Sequence, residues 1–342
     1  MDSVTQAALG ACIAGAVAGK TLGRSAVLTG ALLGTLPDLD VVIDYGTAVA
    51  NFTQHRGFSH SLLILAPLSV LIAWALWRWR PKVSFQRWLL LVGLILITHP
   101  ILDVFTTYGT QLFWPIGPPI AISSIFIIDP LYSLPLLIAF IAFLIRPPAQ
   151  KVMAVALVLS SAYLGWTLLA QQIITERVKP ALAEAGLESY QLLVQPMPFN
   201  SVLWRATAIT GQTRVEIVTG FLDGEEPLTL EHFPRNPELR QTVSDLPEVQ
   251  RLEWFTGGFM QYSRSDNQIT ATDIRLGIPG AHPFRFVVAE TSEAGVTPVN
   301  SVQLPRPALK PGAPDLLWAR ITGEAPILCL ATLSIPGPGE GC

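Results

Sequence analysis

Apolar residues run for long uninterrupted stretches in the first half of the chain and come in short bursts in the second. Three runs, 62–79, 88–105 and 152–174, are long enough to cross about 30 Å of hydrocarbon as helices. A fourth, from about 120 to 145, contains Asp129-Pro130 and Pro135, so it is expected to be broken or re-entrant, its span starting near Pro130. Residues 4–19 and 25–36 are shorter and rich in Gly, Ala and Ser, a pattern of helices packed tightly on their neighbours that either span or only dip. From about Lys179 the runs shorten to "YQLLVQP", "VLWRATAIT", "TRVEIVTGFL", "QITATDIRLGI" and "FRFVVAE", which predict strands. "PEVQRLEWFTGGF" predicts a helix that stops at its glycines.

Charge gives these runs a direction. The basic loop residues are Lys20 and Arg24, then Arg78, Arg80, Lys82 and Arg87, then Arg146 and Lys151, and one orientation puts all three groups in the cytoplasm. The N-terminus, residues 37–60, residues 106–125 and everything after 174 then lie outside. Trp74, Trp77 and Trp79 fall at the cytoplasmic end of their span, as an aromatic belt would. The expected fold is a polytopic α-helical membrane domain of about six membrane segments (1–175) followed by a small α+β extracytoplasmic domain (176–291). A Pro/Gly-rich tail (292–342) with a short helix at 315–321 completes it.

Composition agrees: half of the 342 residues are hydrophobic and 14% charged, with a mean hydropathy of +0.45, too apolar for an ordinary soluble chain. A net charge of −3 without a basic run excludes nucleic acid as a partner. "MDSVTQAALG" has an acid and no Lys or Arg before its apolar run, unlike a signal peptide, so this N-terminus is expected to be retained. Of three cysteines, only Cys329 and Cys342 could pair in the soluble part, which implies no disulfide framework.

The polar residues that interrupt the membrane half gather at one face. Asp38 and Asp40 lie in "GTLPDLD", His55 and His60 in "HRGFSHS", and His99 and Asp103 in "THPILD", all at the outer ends of segments. A charged residue inside a span costs about 2.5–3.5 kcal/mol, so it requires a partner or a role. His99 and Asp103, four apart, share a helix face; they either pair with each other or share a cation. Imidazole nitrogens with carboxylate oxygens and no thiolate suit Zn²⁺, or Mn or Fe, rather than Ca²⁺ or Cu⁺. Asp38, Asp40, His55, His60, His99 and Asp103 are therefore expected metal ligands, for one ion with outer acids or for two ions about 3.5–4 Å apart. Arg56 cannot ligate; it either clamps an anionic group or snorkels to the headgroups.

Other polar residues rank lower. Asp44 reads as a solvated loop acid or an outer partner, Ser59 and Ser61 as helix caps, and Asp129 as a ligand or a cap. Thr106, Tyr108, Gly109 and Gln111 in "FTTYGTQLFWP" could line a site mouth. His232 and His282 are isolated and read as structural or exposed.

Together "MDSVTQAALG", "GTLPDLD", "HRGFSHS", the His99/Asp103 pair, "TTYGTQLFWP" and "SIFIIDPLY" resemble the YdjM/YbcI-type family of membrane-bound, metal-dependent hydrolases. This is an inner-membrane family with some LexA-regulated members, and the resemblance covers roughly residues 1–175. "FNSVLWRA" and "HPFRFVVAE" are similar to the C-terminal extension of its longer members. The resemblance implies a polytopic protein of the bacterial inner membrane with a metal centre at the six residues named above and hydrolase activity. Pro100 stands where members commonly carry an aliphatic residue. The expected function is attack of metal-activated water on a membrane-associated substrate, a phosphoester lipid or a lipid-linked compound, at the outer face. His60 or a nearby carboxylate would act as base and Arg56 would steer the substrate. The alternative is a non-catalytic metal-binding scaffold or a transporter, against which stands the clustering of polar groups at one end.

Overall fold

The computed structural model describes residues 1–147, 150–224, 227–293, 295–308, 311–325, 327–336 and 342. The chain divides into two compact units, and each takes segments from more than one part of the sequence. The first comprises Met1–Ile43, Gln54–Leu169 and Pro198–Asn200; the second comprises Asp44–Thr53, Ala170–Met197 and Ser201–Cys342.

The first unit is helical. Helix α1 (Ser3–Leu22) starts where the Asp2 carboxylate accepts the Val4 and Thr5 N–H groups, and Gly23 at φ 56° turns the chain into α2 (Arg24–Thr35). These two helices approach so closely that a Cβ on Gly10 or on Gly30 would fall 2.2 Å from the other's carbonyl oxygen. That is the reason for the small residues along both. After α3 (Ala48–Gln54), which lies in the second unit up to Thr53, come α4 (Leu62–Trp79), α5 (Phe85–Val104), α6 (Pro130–Ile145) and α7 (Gln150–Glu184), the last passing into the second unit at Ala170. Among the described residues α4, α5 and α7 are long and apolar enough to cross a membrane, and α6, at 16 residues, is a shorter apolar helix. The remaining expected segments, α1 and α2, do not meet that measure of length and composition, so three candidate spans are shown of the about six segments expected. Helix α5 runs through Pro100 without a break. The core is built from Ala8, Ala11, Leu65, Trp88, Leu91, Leu96, Leu136, Phe143 and Met153.

The second unit holds two antiparallel sheets, each a meander in chain order. The first is β1 (Gln191–Pro196), β2 (Leu203–Ile209), β3 (Thr213–Gly220) and β4 (Glu231–Pro234). Helices α8 (Pro237–Val243) and α9 (Pro247–Thr256) lead to β5 (Met260–Ser265), β6 (Gln268–Asp273), β7 (Arg285–Ser292) and β8 (Gly295–Gln303). Ala170, Ile174, Val178 and Leu182 of α7 pack on Val194, Trp204, Ala206, Val215 and Ile217 of the first sheet. Strand β8 and the following α10 (Ala313–Ile321) fall beyond residue 291, in the stretch read from sequence as a tail; part of that stretch, including 337–341, lies outside the described residues. Cys329 and Cys342 form a disulfide, and Cys12 is a buried free thiol.

Candidate metal centre

Helix α2 is followed directly by a 3₁₀ turn, Pro37–Val42, that carries both acids of "PDLD". With three residues per turn, positions two apart point about 120° apart, so Asp38 and Asp40 diverge. A second 3₁₀ turn, Phe58–His60, delivers His60 just before α4, and α5 presents His99 and Asp103 on one face. Asp38, His60, His99 and Asp103 meet, with one donor atom from each lying within 4.8 Å of the others.

The edges that run from the two histidines have the lengths found in a coordination tetrahedron. His60 Nε2 lies 3.2 Å from His99 Nε2, 3.4 Å from Asp38 Oδ1 and 3.1 Å from Asp103 Oδ2. His99 Nε2 lies 3.4 Å from Asp38 Oδ1 and 3.5 Å from Asp103 Oδ2. A tetrahedron whose corners are about 2.0–2.1 Å from a central Zn²⁺ has edges of about 3.3–3.4 Å. Asp103 Oδ2 is buried and accepts no hydrogen bond, an omission that is costly unless a cation faces it.

The rings' other nitrogens fix the protons. His99 Nδ1 donates to the Gly34 carbonyl (2.7 Å), a group that only accepts. The Ser59 hydroxyl donates to Asp40 Oδ2 (2.6 Å) and so accepts from His60 Nδ1 (2.9 Å). In neutral rings both Nε2 atoms therefore carry lone pairs, and these point at each other and at two carboxylates. Two N–H groups would not meet head-on at 3.2 Å either. A divalent cation resolves the arrangement, and the donor set fits Zn²⁺ with its hydrogen-bonded histidines.

Asp40 and His55 stand outside this group of four. Asp40 Oδ1 pairs with His55 Nδ1 at 2.8 Å, and Oδ2 also takes the Arg56 N–H at 3.0 Å. Arg56 is buried at φ 59°, a left-handed backbone that the Asp40 contact and a hydrogen bond from the Gln111 N–H to its carbonyl (3.1 Å) hold in place. Its guanidinium donates to Thr106 Oγ1 (3.2 Å), lies 3.4 Å from Asp103 Oδ1 and stacks over Tyr108. It thus faces the Asp103 carboxylate and not open solvent.

Sequence reasoning did not single out Gln6, Ser3 or Gly34. Gln6 Nε2 donates to Asp103 Oδ1 (3.2 Å) and to the His99 carbonyl (3.1 Å), and Ser3 donates to Asp38 Oδ2 (3.3 Å). A glutamine inside the apolar run of α1 was the available signal. The Met1 amine also contacts Asp103 Oδ1. Of the lower-ranked residues, Asp129 caps α6 through the Leu131 and Tyr132 N–H groups and accepts from the Tyr163 hydroxyl. Asp44 accepts from Gly46 and Asn51, and Ser61 donates to the Trp114 carbonyl. His232 is exposed on β4, while His282 is buried and bonded to Arg214 and the Leu276 carbonyl.

The model of the YdjM inner membrane protein family matches residues 1–174. Among curated proteins, the inner membrane protein YbcI of Escherichia coli is 33% identical over 112 residues, covering 32% of this chain and 64% of that one. The uncharacterized protein YfhP of Bacillus subtilis is 30% identical over 138 residues, covering 38% of this chain and 42% of that one. The chain thus spans less than two thirds of the length of either relative. No solved structure matches it.

Proposed function

The chain belongs to the YdjM inner membrane protein family, and from that premise we propose a membrane-bound, metal-dependent hydrolase whose ion is held by Asp38, His60, His99 and Asp103. The observation that carries this reading is the convergence of two imidazole lone pairs on the unpartnered Asp103 oxygen within a buried pocket of donors. A divalent ion bound there supplies Lewis acidity and makes water nucleophilic near neutral pH.

The chain's own groups divide the remaining work. Asp103 is oriented by Arg56 and Gln6, which occupy Oδ1 and turn Oδ2 toward the ion position. Asp40 and Ser59 hold the His60 ring in its ligating tautomer. With both nitrogens of His60 so engaged, the base role falls to His55. Its Nδ1–H is fixed on Asp40, leaving Nε2 as the accepting nitrogen, and its side chain is 25% exposed beside the centre. The substrate in this reading is membrane-associated, a phosphoester lipid or lipid-linked compound, with the bilayer as the partner.

The proposed topology is multi-pass, α1 and α2 completing about six segments, with the second unit extracytoplasmic. The three basic loops support it, and so does the Cys329–Cys342 disulfide, a bond typical of oxidising compartments. A reporter active only outside the cytoplasm, joined to the C-terminus, should be active; activity only of a cytoplasmic reporter overturns the topology. The function is tested by metal analysis of the purified chain followed by a turnover screen on extracted lipids. About one or two equivalents of a divalent metal with metal-dependent turnover is the expected result. Absence of bound metal after incubation with Zn²⁺, Mn²⁺ and Fe²⁺ overturns it.

A further inference from the structure

The turn that carries the acids is also an exposed apolar segment beside the centre. In Pro37–Val42 the only polar side chains are Asp38 and Asp40, and both are turned toward histidines. The others point outward: Leu39 is 56% exposed, Val41 72% and Val42 81%, and Ile43 follows them. Asp38, at 14%, is the most open of the four ligand side chains. The centre's edge and the apolar ledge are thus adjacent in the chain.

Helix lengths place this ledge in depth. Helix α2 has 12 residues and so rises about 18 Å from Arg24, well short of about 30 Å of hydrocarbon. The six-residue 3₁₀ turn adds about 12 Å at most. With Arg24 at the inner boundary, the turn occupies the outer leaflet's hydrocarbon. His99 lies about 21 Å along α5 from Phe85, at a similar level. Bare valines at that depth meet acyl chains, whereas in water they would form an uncovered apolar patch.

We infer that Leu39, Val41, Val42 and Ile43 form a lipid-immersed ledge at the Asp38 edge, over which an amphiphilic substrate enters sideways from the outer leaflet. The hydrolysable bond then sits at the join of head and chain, and the chain lies along the ledge. This rests on the hydrolase reading and the topology proposed above, and it narrows the substrate to compounds with a long acyl or prenyl chain.

Two measurements test it on the full chain in vesicles of phosphatidylethanolamine and phosphatidylglycerol. A nitroxide on Val42→Cys should collide preferentially with oxygen over chromium oxalate, while one on Val302→Cys, exposed on β8, should show the reverse. A water-accessible label at 42 overturns the ledge. The variant Val41→Ser/Val42→Ser should turn over dioleoyl phosphatidic acid at least tenfold more slowly than wild type, with dibutyryl phosphatidic acid changed less than twofold and bound metal unchanged. Equal loss on both compounds, or loss on neither, overturns the lateral route. If wild type hydrolyses neither, phosphatidic acid falls as the substrate, whereas the hydrolase reading stands or falls on bound metal and the extracted-lipid screen above, and the label decides separately whether the turn lies in lipid.

Discussion

Two clusters of buried charge among the described residues differ in how their carboxylates are satisfied. In the second unit Arg205 meets Glu216 in two parallel hydrogen bonds (2.8 and 2.7 Å), Thr207 donates to the same carboxylate, and Arg275 grips Asp273. The remaining Arg205 donors reach the carbonyls of Gly277 and Ile274 and so tie the first sheet to the segment after β6. Every oxygen of Glu216 and Asp273 meets a donor there. In the first unit, Asp103 Oδ2 meets only two imidazole nitrogens, which face each other. Burial of charge alone therefore does not mark a site. Convergent acceptors without a donor do.

The largest effect should come from the complete cluster. Glu216→Ala leaves Arg205 and Arg214 buried without their shared carboxylate, and breaking such a pair costs about 3–5 kcal/mol. Denaturant unfolding of the purified protein should show the loss, while metal content stays at the wild-type level. A fall in metal content would break the comparison, because the two clusters would then not be separable.

Next come the ligands. His60→Ala and Asp103→Ala should each weaken metal binding by more than the roughly 10–100-fold that loss of an outer partner costs. Both should give inserted protein with little bound metal and no turnover. Retention of full metal by both variants would make the four residues a hydrogen-bond network. His232→Ala and His282→Ala should leave bound metal unchanged, since neither residue lies in the first unit.

Much of this was legible in the chain. The long runs predicted α4, α5 and α7, and Asp-Pro marked the start of α6. Of the six polar residues, His99 and Asp103 were recognisable because each is expensive inside a span, and the other four because they gather at the same end of the apolar runs. Their division into four and two was not: Asp38 and Asp40 diverge in any helical turn, and which of them meets His60 and His99 is set by how α2, α4 and α5 pack, a tertiary matter that no local pattern carries. Strand β8 was missed because "GVTPVNSVQ" carries a proline and mostly exposed side chains, the habit of an edge strand. Helix α3 was missed because its seven residues show too little of a period; its Phe52 packs on Phe255, Phe284 and Phe286. The motifs "FNSVLWRA" and "HPFRFVVAE" contribute Arg205 and His282, members of the charge cluster, and so serve the second unit's packing.

A smaller effect separates the clusters by pH. Burial, with Arg205 and Arg214 nearby, pushes His282 down from 6.5 to about 3. The unfolded chain then binds a proton between those values and the folded chain does not, so this stabilisation is present above pH 6.5 and is lost as pH falls toward 3. The slope is at most about 1.4 kcal/mol per pH unit. Urea unfolding at stepwise lower pH should show it in wild type and not in His282→Gln; an unchanged slope in the variant would assign the effect elsewhere.

The smallest predicted change probes the link between His60 and Asp40. Ser59 donates to Asp40 and accepts from His60 Nδ1, so it sets which His60 nitrogen carries the proton without touching the ion position. In Ser59→Ala the ring loses its acceptor, since Asp40 Oδ2 stands 4.0 Å from Nδ1, too far for a direct hydrogen bond. The ring is then free to place its proton on Nε2, where it blocks ligation. Metal affinity should fall by about tenfold, the low end for an outer partner. Loss of packing alone would not alter the ligand field. The Co²⁺-substituted protein should therefore show shifted d–d bands in Ser59→Ala, largely restored by Ser59→Thr. An unshifted spectrum with unchanged affinity would mean that His60 is held by α4 and its neighbours alone, and that Asp40 serves only His55 and Arg56.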